Sequence, residues 1–391
     1  MTETPALTGN WNYPTTVRFG VGRIKELARC CRNLGMMRPL LVTDPGLSGR
    51  DMVLDAIAAN NDDGLPTSLF SDIKPNPVGQ NISDGLSAFH AGGHDGVIAF
   101  GGGSAMDAGK TIAFMAGQKR PIWDFEDVGD NWKRAETDAI APIVAVPTTS
   151  GTGSEVGRAT VVIDEDTETK KIMFHPRMLP ELVICDPALA AGLPAHLTAA
   201  TGMDALAHCL EALCVNAYHP LADGIALEGL RLVHDWLEAA VEDGKNLEAR
   251  AHMMSAATMG ATAFQKGLGA IHSLSHPVGA VFDTHHGLTN AVFLPYVMVF
   301  NRKAIEDKMQ LLARFIGLKG PSFEAVLTWV LDLNDNFDIP KTAADLGVAE
   351  DRLDDISRMA AKDPTAPTNP VKAGAKEMRT ILDAAMAGRL G

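Results

Sequence analysis

The chain has 391 residues, 46% of them hydrophobic, and carries a formal net charge of −14; that length exceeds one ordinary hydrophobic core and sets an expectation of two domains. An acidic balance with scattered basic residues excludes a nucleic-acid partner, and no apolar run is long enough to span a membrane. Residues 1–14, MTETPALTGNWNYP, lack the basic start and apolar stretch of a secretory signal, and the five cysteines (Cys30, Cys31, Cys185, Cys209, Cys214) show no C-x-x-C spacing, so a cytoplasmic protein with reduced thiols is expected.

In chain order, the first half alternates short apolar runs with helical patterns. Residues 39–44 (PLLVTD), 96–100 (GVIAF), 142–146 (PIVAV) and 182–186 (LVICD) read as strands, with helices such as 23–34 and 107–115 between them. Apolar strands separated by helices imply a parallel sheet covered on both faces. From about Ala188 the strand signal fades, and Ala-, Leu- and Met-rich segments follow at 197–216, 222–242, 247–266, 305–316 and 323–333. The predicted architecture is therefore an α/β dinucleotide-binding domain over 1–187 and an all-helical, metal-binding and catalytic domain over 188–391.

Three loops in the first half carry chemistry. Asp44 ends the PLLVTD strand, where a carboxylate can accept from ribose hydroxyls and repel a 2′-phosphate, favouring NAD over NADP; Asp-Pro-Gly also makes a turn with no ligand. In GVIAFGGGSAMDAGK, Gly101, Gly102 and Gly103 let the backbone approach a ligand ahead of a helix N-terminus that attracts pyrophosphate. Met106 stands where the third glycine of G-x-G-x-x-G belongs, so a phosphate cradle and a plain turn both stay open. Residues 147–155, PTTSGTGSE, follow a buried strand and suit either a polar ligand or solvent.

In the second half, Asp204 and His208 stand at i and i+4 on one helix face, and His272, His276, His285 and His286 crowd into fifteen residues of small and apolar sequence. Each segment alone is as readily a satisfied core feature. Together they supply the mixed oxygen and nitrogen donors that suit iron(II), zinc or manganese.

These motifs resemble the iron-containing (group III) alcohol dehydrogenases. Asp204 and His208 fall on that family's G-x-D-A-x-x-H helix, and His272, His276 and His286 on its G-x-x-H-x-x-x-H-P-x-G-x(6)-H-G pattern. GGGSAMD matches G-G-G-S-x-x-D with Ser104 and Asp107, and PTTSGTGSE matches P-T-T-x-G-T-x-x-E with Thr148 and Thr149. The resemblance implies a metal on Asp204, His208, His272 and His286, with His276 beside the nicotinamide relaying a proton or positioning the ring. It implies a pyrophosphate cradle of Gly101, Gly102, Gly103, Ser104 and Asp107, with Thr148 and Thr149 along the cofactor. Lys170 would reach the nucleotide ribose, Lys171 being its alternative, and Asn76 would lie near the adenosine. His285 departs from the family pattern and reads as a bystander or a substrate-pocket residue. Implied too are hydride transfer between NAD(P) and a small primary alcohol or a hydroxy acid such as 4-hydroxybutyrate, and a homodimer. A zinc-dependent enzyme like glycerol dehydrogenase or dehydroquinate synthase is the alternative within the architecture, and a non-catalytic nucleotide-binding protein the one outside it.

Overall fold

The computed structural model describes residues 15–167 and 169–390; the N-terminal stretch read for a secretory signal lies outside them. The first half builds a six-stranded parallel sheet from β1 (Thr16–Phe19), β2 (Pro39–Val42), β3 (Ser68–Phe70), β4 (Gly96–Gly101), β5 (Ile143–Pro147) and β8 (Leu182–Cys185), in the order β1-β8-β5-β4-β2-β3. The chain between β5 and β8 forms an antiparallel pair, β6 (Ala159–Asp164) with β7 (Thr169–Phe174). The four expected strands are present; β1, β3 and the β6–β7 pair are additional. Their weaker signal is physical: β1 and β3 lie at the sheet edges with exposed residues, and TKKIMF carries two lysines, so none reads as a buried apolar run.

The sheet interior explains the apolar strands. Leu41, Ile98, Phe100, Val144, Val146 and Ile184 pack on one face against Leu27 and Cys31 of α1 (Leu27–Asn33) and Val53 of α2 (Asp51–Asp62). After α3 (Gly79–Ala91), α4 (Gly103–Met115) covers the other face, with Gly109 set tightly on Ala99 and Val42.

No strand follows Cys185 among the described residues. The helices are α5 (Ala195–Cys214), α6 (Pro220–Glu242), α7 (Leu247–Ala263), α8 (Ala270–Phe282), α9 (His286–Phe315), α10 (Phe323–Asn336), α11 (Leu353–Lys362) and α12 (Ala375–Ala387). The expected helix at 305–316 is the second half of α9, which runs through Pro295, a residue that ordinarily marks a break. α5 packs along α6 and α9, and α8 along α9 and α11. None of the described helices is long and apolar enough to cross a membrane, and all five cysteines are buried and outside any disulfide. The described residues divide into two units: one holds residues 15–193 together with Asp243–Met254, the other Pro194–Glu242 and the residues from Ser255 onward.

Candidate functional site

Each unit gathers one cluster of the expected residues. In the sheet unit, β2 has its chain neighbour β3 on one side and β4 on the other. The loops leaving β2 and β4 therefore diverge at a topological switch point, where open α/β sheets bind ligands. Gly101 has φ +145°, and a Cβ there would lie 2.7 Å from Ala105 Cβ and 3.4 Å from Asp44 Oδ2; only glycine brings the two loops this close. α4 begins with Gly102 as N-cap and no side chain capping it, which leaves its first-turn N–H groups to an anion. Thr148 N donates to Gly101 O at 3.0 Å, and Thr149 and Thr152 abut Gly102 and Gly103. Ser104 Oγ donates to Pro75 O, which draws the segment carrying Asn76 to the start of α4.

Asp107 lies beneath this loop pair. Its Oδ1 accepts from Ser154 Oγ at 2.6 Å and its Oδ2 from Val161 N at 2.9 Å. Burial pushes its carboxyl above the usual range against the pull of Lys110. Lys110 is itself buried and donates to Ser154 O, Ser154 Oγ and Ala159 O at 2.9, 3.0 and 2.8 Å; burial presses its pKa down to about 8, with Asp107 and Glu155 opposing. Both oxygens of Asp107 are thus tied to the protein, and the side chain braces the loop beneath the glycines.

The two lysines of β7 also separate. Lys171 Nζ pairs with Asp164 Oδ2 at 2.8 Å and sits 5.2 Å from the centre of the Trp123 ring. Lys170, the preceding residue and so on the opposite face of the strand, adds a charge interaction that favours the ionised Asp107 carboxylate. Lys170→Ala is expected to raise the KM for NAD on the order of tenfold, as loss of a charge-assisted contact does, with Lys171→Ala close to the parent; initial rates over a range of NAD concentrations check both.

Asp44 fills its turn role: Oδ1 accepts from Gly46 N and Leu47 N at 2.9 and 3.2 Å, while Oδ2 points toward Gly101. Asp44→Gly is expected to shift the kcat/KM ratio of NADP to NAD upward by about ten- to a hundredfold, the worth of one such contact. An unchanged ratio would leave Asp44 with the turn alone.

In the helical unit, α5 presents Asp204 and His208 one turn apart, α8 brings His272, and His286 opens α9. Their ligand atoms, one carboxylate oxygen and three ring nitrogens, all lie within 4.8 Å of one another. Nε2 of His208 and of His286 stand 3.9 and 3.7 Å from Asp204 Oδ1, and the His208 and His272 rings stack at 4.7 Å. A Cβ at Gly287 would meet Ala200 O at 2.3 Å, so glycine is what seats the start of α9 against α5 and brings His286 to Asp204.

The cluster fits a divalent cation. Its donors are those borderline metals take, and a buried carboxylate among imidazoles calls for positive charge. Burial works against an imidazolium at His272, yet Glu211, Asp204 and Asp363 more than offset it and raise its pKa; the same field attracts a metal ion. Asn290 Nδ2 donates to Asp204 Oδ1 at 2.8 Å and lies 3.2 Å from Nε2 of both His272 and His286, while its buried Oδ1 has no hydrogen-bond partner.

His276 stands outside this set of four, its ring stacked on His286 at 5.6 Å and its Nδ1 2.8 Å from Asp363 Oδ2. Burial raises the Asp363 carboxyl, but His276 and Thr365 outweigh it and hold the group below the usual range. His285 is the N-cap of α9, accepting from Leu288 N at 3.4 Å.

Residues 14–187 match the family described as iron-containing alcohol dehydrogenase, and residues 198–386 match the C-terminal domain of the Fe-containing alcohol dehydrogenase family. The chain belongs to the iron-containing alcohol dehydrogenase family. It is 39% identical to 4-hydroxybutyrate dehydrogenase of Cupriavidus necator, over 96% of this chain and 99% of that one. It is 31% identical to the NAD-dependent methanol dehydrogenase of Bacillus methanolicus, over 96% and 100%. The solved structure of a 1,3-propanediol oxidoreductase superposes with a TM-score of 0.91 at 35% identity, covering 96% of this chain and 99% of that one. The protein is thus an oxidoreductase of the alcohol dehydrogenase type with the family's two-part fold.

Within this iron-containing alcohol dehydrogenase, three residues of the metal unit escaped sequence reasoning. His272 Nδ1 donates to Glu211 Oε2, and Ile271 N donates to Glu211 Oε1 at 2.8 Å; a carboxylate that holds Nδ1–H leaves Nε2 as the ligand atom. Glu211 stands at i+7 from Asp204 and i+3 from His208, on the same helical stripe, a signal that was there to use. Asn290 follows His286 at i+4 and was open to the same reasoning. Asp363 lies 87 positions from His276, beyond any local pattern.

Proposed function

We propose that this iron-containing alcohol dehydrogenase oxidises a short primary alcohol, foremost 4-hydroxybutyrate, to its aldehyde with NAD, and runs the reverse reduction. The gathering of the Asp204, His208, His272 and His286 ligand atoms within 4.8 Å carries the proposal. A divalent ion there, iron(II) or alternatively zinc or manganese, supplies Lewis acidity toward the alcohol oxygen. Asp204 contributes the one negative charge and the three imidazoles neutral donors, an assembly that keeps a net positive field for that oxygen. Gly101, Gly102, Gly103 and Ser104 would hold the NAD pyrophosphate, with Thr148 and Thr149 along the cofactor, Lys170 at the ribose, Asn76 near the adenosine and Asp44 disfavouring NADP. NAD held there would accept the hydride from the carbinol carbon, and His276 would take the hydroxyl proton, so that alcohol and NAD would yield aldehyde, NADH and a proton.

The substrate rests on the relative from Cupriavidus necator and its near-complete overlap with this chain. A reducing, cytoplasmic setting agrees with five buried cysteines that form no disulfide. A homodimer rests on the resemblance to the family, and light scattering after size exclusion tests it. For the reaction, protein stripped by chelator and reloaded separately with iron(II) and zinc is assayed for NAD reduction over alcohols and hydroxy acids. The expected result is a higher kcat/KM for 4-hydroxybutyrate than for ethanol or 1,3-propanediol; no NADH with any of them, with either metal, would sink the proposal.

A further inference from the structure

Residues 363–369, DPTAPTN, are bound to α8 along its first turns. Thr365 Oγ1 pairs with Ser273 Oγ at 2.8 Å and lies 3.3 Å from Gly269 O. Thr368 Oγ1 donates to Leu268 O at 2.7 Å. Asn369 Oδ1 accepts from Ala270 N at 3.0 Å, one of the orphan N–H groups at the start of the helix, and Asn369 is locked in turn by a reciprocal amide pair with Asn301 of α9 at 2.9 Å each way. A segment tied at this many points has one position relative to α8, and Asp363 is its first residue.

The Asp363 carboxylate is tied as well. Oδ1 accepts from Thr365 N at 2.9 Å and from Thr365 Oγ1 at 2.6 Å, which leaves Oδ2 to one partner, His276 Nδ1, at 2.8 Å. We infer that Asp363 is the positioning residue of His276: fixed by Thr365 and the 363–369 strap, it holds the ring in the tautomer with Nδ1 protonated and Nε2 open as the proton acceptor. A carboxylate only accepts, so the proton of the pair belongs on Nδ1; a base with its second nitrogen so held is oriented and its conjugate acid stabilised. This rests on the role given to His276 above. Asp363 itself takes no proton from substrate and acts through the imidazole.

The test compares His276→Ala, Asp363→Asn, Asp363→Glu and the double variant His276→Ala with Asp363→Asn, each metal-loaded, by kcat, KM for alcohol and NAD, and metal content. Asp363→Asn is isosteric and keeps the strap's space but allows an amide N–H to face Nδ1. The expected loss is about ten- to a hundredfold in kcat, within the range of general acid–base catalysis, with both KM values and metal content little changed. The double variant should be no slower than His276→Ala alone, because Asp363 has nothing to act through once the imidazole is gone. Asp363→Glu, which retains a carboxylate, should be faster than Asp363→Asn. An Asp363→Asn enzyme as fast as the parent, or losses that multiply in the double variant, would overturn the inference while leaving His276 its role. A fully active His276→Ala enzyme would overturn both. Loss of metal together with kcat in Asp363→Asn, with Asp363→Glu no better, would reduce Asp363 to a structural tie.

Discussion

Asp204→Ala is expected to lower metal affinity by more than about a hundredfold and to bring NAD reduction to background, while the protein stays folded. Loss of a group that merely supports a ligand already costs about 10- to 100-fold in metal affinity, and Asp204 is the one anionic ligand of the four. Its removal leaves three neutral imidazoles and an uncompensated dication in a buried site, so the ion loses its charge partner as well as a bond. The scaffold does not depend on it: α5 is buried along most of its length by its own apolar and small residues against α6 and α9, and the largest structural loss is the Asn290 hydrogen bond to Asp204. Competition with a chelator gives the affinity, elemental analysis the metal content, and the thermal midpoint should move by only a few degrees. A metal-replete, active Asp204→Ala enzyme would remove Asp204 from the ligand set.

Lys110→Ala is expected to destabilise the sheet unit by about 3–5 kcal/mol, the cost of leaving a buried charge uncompensated. The change deletes three hydrogen bonds from Nζ to the loop around Ser154 and the start of β6, and it leaves the Asp107 carboxylate buried with its strongest compensating charge gone. Thermal unfolding should fall on the order of 10 °C, and NAD binding should weaken with it, because Ser154 and Thr152 share the loop that abuts the glycines. Replacing both charged groups by apolar residues of similar size, Lys110→Met with Asp107→Leu, should recover part of the stability, since the desolvation cost of both charges disappears. Metal content should be unaffected in either variant. A Lys110→Ala protein as stable as the parent would mean that water replaces the ammonium group.

The parts of this enzyme legible without a structure were those written in short-range patterns. Asp204 and His208 at i and i+4, the histidines from 272 to 286, and three glycines between an apolar strand and a helix each state their geometry within a few residues, because helical and strand periodicity fixes which side chains share a face. The parallel sheet and the helical second half followed for the same reason: strands buried on both faces must be apolar throughout, and helices need only a stripe. Where the local signal was mixed, as in β6 and β7 or across Pro295, the elements became visible only in the fold.

The amino-acid sequence by itself determined the fold class, the family and the four residues proposed for the metal. Only the tertiary structure decided what each charged group does once buried. It tied Asp107 to Ser154 and Val161, assigned Lys171 to Asp164 and left Lys170 on the other face. It put Glu211 behind His272 and Asp363 behind His276, and it made His285 a helix cap. The physical reason is common to all of them. Spacing along the chain says which residue types share a face, but a carboxylate or an ammonium in the interior must find its partner wherever the fold supplies one, across separations of 47 residues for Asp107 and Ser154 or 87 for His276 and Asp363.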